Sequence, residues 1–280
     1  MKQLLILVAI LALTSAGRKK CREPIIDNFK QDVEVLYKVG DNLYSPYQLA
    51  IDYATDTIFF SLSVNSTDEV SFQTAKLNLK TKEFKKIADT GFANAVDPRK
   101  NIVYIGGTDG IAKYNYESNQ LEPIEGTDEL NIWQLFFKDD LYFTIYPAEQ
   151  AFILKDGKFS LIPELENTKL NLLAIDNDNN IYFHNSSGVY LHEKSNGEVS
   201  YIGQYTLNAF TADKKGYIYF STLEGLYRIK DLKTVELLTT FEYIYGMAIE
   251  ADGSIIYSSN VEIVRLKPTN IHCPNRNKSN

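Results

Sequence analysis

Side chains able to carry acid–base or nucleophilic chemistry are scarce in this chain of 280 residues. It has three histidines, His184, His192 and His272, two cysteines, Cys21 and Cys273, and no G-x-S-x-G nucleophile elbow. The run Asp176-Asn177-Asp178-Asn179-Asn180 opens like a calcium loop, with the spacing D-x-D-x-N. It departs from an EF-hand where that motif needs Gly and a closing Glu, because Ile181 and Ser187 stand there and strands rather than helices flank it. A hairpin turn is the better reading. Gly106-Gly107-Thr108-Asp109-Gly110 lacks the Lys-Ser/Thr of a phosphate loop and also reads as a turn. His184 and His192 fall on neighbouring expected strands, where a satisfied structural role outweighs metal ligation. These features point away from catalysis and imply no metal and no cofactor.

The elements that carry these residues recur. Residues 170–202 hold four short apolar or alternating runs, Leu172 to Ile175, Ile181 to Phe183, Val189 to His192 and Val199 to Ile202, separated by turn residues. That is the pattern of one four-stranded antiparallel sheet. Copies appear at 206–229 and 91–114, with weaker ones starting at Tyr47, Asn131 and Tyr245. The acidic turn positions Asp52, Asp97, Asp176, Asp213 and Glu250, with Asp139 filling the gap, lie roughly 37 to 45 residues apart, the spacing of propeller blades. The expected fold is therefore all-β, a six-bladed β-propeller with blades near 45–87, 91–124, 131–162, 170–202, 206–238 and 243–267. The last repeat has three strands, ending near Leu266, while Asp32 to Tyr37 alternates cleanly and has no local partner. This N-terminal segment, 32–37, is expected to close the ring as the outer strand of the last blade.

Flanking segments place the chain outside the cell. Residues 1–16 have a basic residue at Lys2, an apolar core from Leu4 to Leu13 and small residues at Thr14 and Ala16, the layout of a secretory signal peptide. Residues 17–280 then form one domain, with polar tails at 17–30 and 268–280 expected to pack loosely. Hydrophobic residues make up 44%, charged ones 23%, and 19 Tyr and 15 Phe stand against one Trp, an aromatic excess suited to pleated sheet. The formal charge of −7 becomes −8 once Lys2 is removed, which argues against nucleic acid and anionic membrane as partners. A soluble monomer is expected. Cys21 and Cys273 bracket the repeats and, in an oxidising compartment, are expected to pair where the ring brings the termini together. Sequons at Asn65, Asn185 and Asn277 mark candidate glycosylation sites in turns or tail, Asn65 foremost.

In a propeller the starts of the innermost strands open onto one face of the channel. Five residues before each acidic turn position stand Tyr47, Phe92, Asn131, Asn171, Asn208 and Tyr245. No carboxylate is among them, whereas a calcium-dependent propeller hydrolase needs Asp or Glu there to hold a hard cation. Three aromatics and three carboxamides can stack a flat ring system and hydrogen-bond its polar edge. Asn can equally cap strand-entry turns and Tyr fill the wall. The single Trp133, on an inner strand, joins the candidate ligand-binding set, although most such residues are core.

The segments Lys19-Lys20-Cys21-Arg22-Glu23-Pro24-Ile25-Ile26-Asp27-Asn28-Phe29, SPYQLAIDYATDTIFFS from Ser45 and NNIYFHNSSGVYLHEK from Asn179 resemble the insect ommochrome-binding protein family. The resemblance covers the full length. It implies a secreted haemolymph carrier that binds a small aromatic pigment, a tryptophan-derived ommatin, without turnover. Such pigments bear carboxylate or sulfate groups, so a cation is expected to help, with Lys113, Arg228 and Arg265 on third strands as candidates. Two other readings remain open: an extracellular propeller lactonase or esterase, and a protein-binding propeller.

Overall fold

The computed structural model describes residues 21, 24–40, 43–65 and 70–273. The expected signal peptide and the Asn277 sequon lie outside the described residues. Six antiparallel sheets follow one another along the chain. The first is Leu43–Asp52, Thr57–Asn65, Val70–Asn78 and Phe84–Ala88, the second Ala93–Asp97, Ile102–Gly107, Gly110–Asn115 and Gln120–Pro123. The third is Ile132–Lys138, Asp140–Ile145, Gln150–Lys155 and Lys158–Leu161, the fourth Leu172–Ile175, Ile181–Asn185, Gly188–His192 and Val199–Gly203. The fifth is Ala209–Ala212, Ile218–Ser221, Gly225–Lys230 and Thr234–Thr240, and the sixth begins with Gly246–Ile249, Ile255–Ser258 and Glu262–His272. Each repeat is a meander, and the fold is the expected all-β, six-bladed propeller of four-stranded antiparallel blades.

Phe29–Lys38 completes the sixth blade by pairing with Glu262–His272, from Phe29 opposite His272 to Lys38 opposite Glu262. The ring is thus closed by the strand expected from Asp32 to Tyr37, lengthened at its N-terminal end. Two details differ from expectation. The last strand does not stop near Leu266 but runs through Pro268, which is tolerated because Gln31 opposite it turns its own N–H to the Pro24 carbonyl and the pairing on the other side has ended at Leu266, so no ladder bond needs the missing N–H. The segment just before the closing strand is not loose either. Ile25–Ile26 adds a short fifth strand, and Ile26 is buried among Leu226, Leu238 and Ile244. Cys21 and Cys273 form a disulfide with Cα atoms 5.6 Å apart.

Burial follows from this arrangement, because each sheet presents both faces to neighbouring blades. Six apolar clusters fill the six interfaces; between the first and second blades, for example, Phe59 meets Val96, Val103, Ile105 and Tyr114. Between the sixth and first, Phe60, Leu62, Ile58, Ile256, Ile263 and Leu36 pack together. Fully buried side chains of this size contribute roughly 1.5–3 kcal/mol each.

The recurrent acid is explained by its turn. Oδ1 of Asp52, Asp97, Asp176 and Asp213 accepts the backbone N–H of the residue two positions on, Ala54, Arg99, Asp178 and Lys215, at 2.8–2.9 Å. These are Asx turns joining the first two strands of a blade. The Asp176–Asn180 run is such a hairpin turn, with Asn180 Nδ2 donating to Asp176 Oδ2 at 2.8 Å. Gly106–Gly110 is the hairpin between second and third strands, Gly107 opposite Gly110, in the place held by Ser187-Gly188 in the fourth blade.

Candidate ligand-binding mouth

The inner strand of each blade sits at the end of its sheet, bonded on one side only. Its free edge would leave unpaired N–H and C=O groups at the axis, and side chains from adjacent blades cap several of them. Gln134 donates through Nε2 to the Leu173 carbonyl at 2.9 Å and accepts the Leu173 N–H at 2.7 Å. Asn94 donates to the Gln48 carbonyl at 3.2 Å, and Tyr53 to that of Ile249 at 2.7 Å.

At the starts of these strands the candidate residues occupy equivalent places. Phe92, Asn171, Asn208 and Tyr245 each donate a backbone N–H, at 2.7–3.0 Å, to the last carbonyls of the adjoining strand, those of Gly106, His184, Ser221 and Ser258. In the third blade the pairing alters the assignment. Gln134 lies opposite Thr144 as Leu172 lies opposite His184, so Trp133 stands level with Asn171, and Asn131 is two residues farther out. The cause is a shorter turn, in which Lys138 occupies the place of the Asx-turn acid and only Asp139 separates it from Asp140. A bulge between Ile132 and Gln134 removes Trp133 from the ladder. Hence Trp133 is not core: it is 36% exposed between the buried Ile132 and Gln134.

The rings form a continuous arc over four blades. Tyr245 meets Tyr47 at 5.2 Å between centroids, Tyr47 meets Phe92 at 5.9 Å and Phe92 meets Trp133 at 5.0 Å. Two further rings, unforeseen from the inner-strand row, belong to it. Phe72 packs on Phe92 at 4.6 Å and on Tyr47 at 5.8 Å, and Tyr146 lies 5.5 Å from Trp133. Both come from beside the hairpins joining second and third strands, which open on the same face. Burial pushes the Tyr47 phenol above its ordinary range, so the arc is uncharged there.

Across from the arc, the fourth and fifth blades present carboxamides. Asn208 donates through Nδ2 to the Ile244 carbonyl at 2.6 Å, which ties the fifth blade to the sixth. Asn171 Oδ1 lies 2.7 Å from His184 Nδ1, and His184 Nε2 lies 3.0 Å from the Tyr205 carbonyl. Burial lowers the His184 pKa, and the two contacts hold the ring between Asn171 and the Tyr205 carbonyl.

The cations expected near this site are elsewhere. Arg228 binds Asp27 at 3.0 and 2.8 Å and Glu236 at 2.7 Å, and Arg265 binds Glu250 at 2.6 and 2.8 Å and Glu34 at 2.9 Å. Both secure the ring join, because a guanidinium with two carboxylates in register is spent structurally. Lys113 is exposed on the third strand of the second blade. Asn185 closes a tight hairpin, its Oδ1 accepting the Ser187 N–H at 2.9 Å, and Asn65 ends the second strand of the first blade. Among the described residues no group of three or more His, Cys, Asp or Glu side chains is placed to hold a metal ion, and no helix is long and apolar enough to cross a membrane.

No family model matches the chain. Among solved structures it is similar to a gluconolactonase of Xanthomonas campestris, with TM-score 0.70, 13% identity, and 89% of this chain and 96% of that one covered. Regucalcin, a calcium-binding protein of Agrobacterium tumefaciens, matches with TM-score 0.62 and 12% identity over 86% and 96% of the two chains. At such identities the likeness is one of fold alone. The ommochrome-binding protein of Manduca sexta is 35% identical over 272 residues, 94% of this chain and 98% of that protein. With that identity along nearly the whole of both chains, the protein belongs to the ommochrome-binding protein family.

Proposed function

We propose that this protein is a secreted, monomeric carrier that binds a tryptophan-derived ommochrome pigment of the ommatin D type in the haemolymph, non-covalently and without turnover. The observation that carries the reading is the arc Tyr245–Tyr47–Phe92–Trp133–Tyr146, which offers ring faces and edges to a flat polycyclic guest. Offset and edge-to-face contacts contribute about 0.5–1.5 kcal/mol each beyond burial, so several of them give useful affinity with no charged group. Asn171 and Asn208, facing the arc from the other blades, supply hydrogen bonds to the carbonyl and amino edge of such a molecule. The mouth residues are aromatics and carboxamides, side chains suited to stacking and hydrogen bonding.

The test is to titrate the protein with an ommatin and with a simple lactone, following the visible absorption shift and hydrolysis, each with and without chelator. A saturable shift indifferent to chelator, weakened in Trp133→Ala and Tyr47→Ala and accompanied by no hydrolysis, supports the carrier. Chelator-sensitive hydrolysis overturns it in favour of a lactonase.

A further inference from the structure

A cavity separate from the aromatic mouth runs through the molecule. It is a channel of about 520 Å³ along the propeller axis, walled by all six inner strands, and none of the rings or carboxamides of the mouth lines it. It runs from Gln48, Asn94 and Gln134 to the Asx-turn face, where Tyr53, Arg99, Lys138, Asn177 and Lys214 line it together with the carboxylates Asp139 and Asp213. Two observations, one at each end, show that the channel is chemically prepared.

The first is charge. Arg99 is offset by Asp139 at 3.1 Å and Asp97 at 3.7 Å. Lys138 and Lys214 make no ion pair among the described residues. Lys138 donates to the Asp176 carbonyl and, at 3.4 Å, to Asn177 Oδ1; Lys214 Nζ stands 4.0 Å from the centre of the Tyr53 ring. The Tyr53 phenol, pushed up to about 12 by burial and by Asp213 and Glu250, stays neutral beneath it. Asp213 Oδ1 is occupied by the backbone N–H groups of Lys215 and Tyr217 at 2.8 and 2.9 Å. The second observation is an unmet acceptor. Asn94, only 4% exposed, lines the channel and donates its NH2 to the Gln48 and Phe92 carbonyls, while its Oδ1 has no partner. A buried amide oxygen left so is costly, and a donor brought by a guest relieves it.

We propose that the turn-side end of the channel is a second ligand site, for an organic anion with a flat apolar body and an N–H or O–H at its far end. The anionic group meets Lys138 and Lys214, the body lies along half-buried Phe136, Phe137 and Ala212, and the donor meets Asn94 Oδ1. Pro98, at the rim and just past the end of the same strand, lies four residues on from Asn94, about 13 Å at strand rise, a span that a two-ring molecule plus a lysine stem covers. This site is separate from the aromatic mouth and stands whether or not the pigment binds there.

The probe is 6-(p-toluidino)naphthalene-2-sulfonate, which carries sulfonate and N–H at opposite ends of a naphthalene, with uncharged N-phenyl-2-naphthylamine as control. The expected result is a saturable fluorescence rise that weakens on the order of tenfold in the Lys138→Ala/Lys214→Ala double variant. It weakens again in Asn94→Leu, and the lysine-dependent part of the rise persists in Trp133→Ala. The intact protein and these folded variants, checked by their melting temperatures, are compared at one ionic strength. No saturable rise, equal binding of the uncharged control, or loss of binding in Trp133→Ala with indifference to the lysines would each overturn the proposal. None of these outcomes bears on whether an ommatin binds the mouth.

Discussion

Removal of the disulfide in a Cys21→Ala/Cys273→Ala variant tests how the ring is held shut. The two cysteines are 252 residues apart in sequence, so the cross-link constrains nearly the whole unfolded chain. The chain-entropy relation gives about 5.5 kcal/mol for a loop of this length at 25 °C, and measured losses for native disulfides run about 2–5 kcal/mol. The folded ring keeps its other fastenings, the Phe29–Lys38 pairing and the Arg265–Glu34 and Arg228–Asp27 bridges, so the variant still folds. At roughly 2–4 °C per kcal/mol for a chain of this size, a loss of about 3–5 kcal/mol lowers the melting temperature by roughly 6–20 °C. Scanning calorimetry of the two proteins, and of the wild type with reductant, measures it. Pigment affinity falls too, because Tyr245 in the sixth blade and Tyr47 in the first meet beside the join. A melting temperature within about 2 °C of wild type would refute the reasoning and leave closure to the strand alone.

Trp133→Ala is expected to weaken ommatin binding roughly tenfold, with little change in stability, since the ring is more than a third exposed; absorption titration and melting curves measure the two. His184 adds acid sensitivity. Its folded-state pKa lies below the ordinary 6.5, so the unfolded chain takes up the proton first, and its contribution is full above about 6.5 and lost as pH falls towards the folded value. Melting temperatures from pH 8 to 5 should drop more steeply in the wild type than in His184→Gln, and parallel curves would contradict this. Gly110 has φ +84°, and a Cβ there would collide with the Thr127 carbonyl oxygen. Gly110→Ala should therefore cost about 1–3 kcal/mol, read from denaturant midpoints.

The strands, their number and the closure of the ring were legible in the order of residues, because each rests on local patterns. Alternation in Asp32 to Tyr37 marked a strand needing a distant partner, and the recurrent Asp marked a turn its own carboxylate caps. The cysteines outside the repeats foretold their bond, since a closed ring must bring its ends together. The inner-strand row picked out Tyr47, Phe92 and Tyr245, whose rings meet, for the same reason. What only the tertiary structure decided is where neighbouring blades bring side chains. The bulge in the third blade raised Trp133 into the arc and displaced Asn131; Phe72 and Tyr146 joined from hairpins of other strands; Arg228 and Arg265 were drawn to Asp27, Glu34, Glu236 and Glu250. A repeat specifies its own sheet, but rings meet and charges pair across blades, and those distances exist only once the circle is closed.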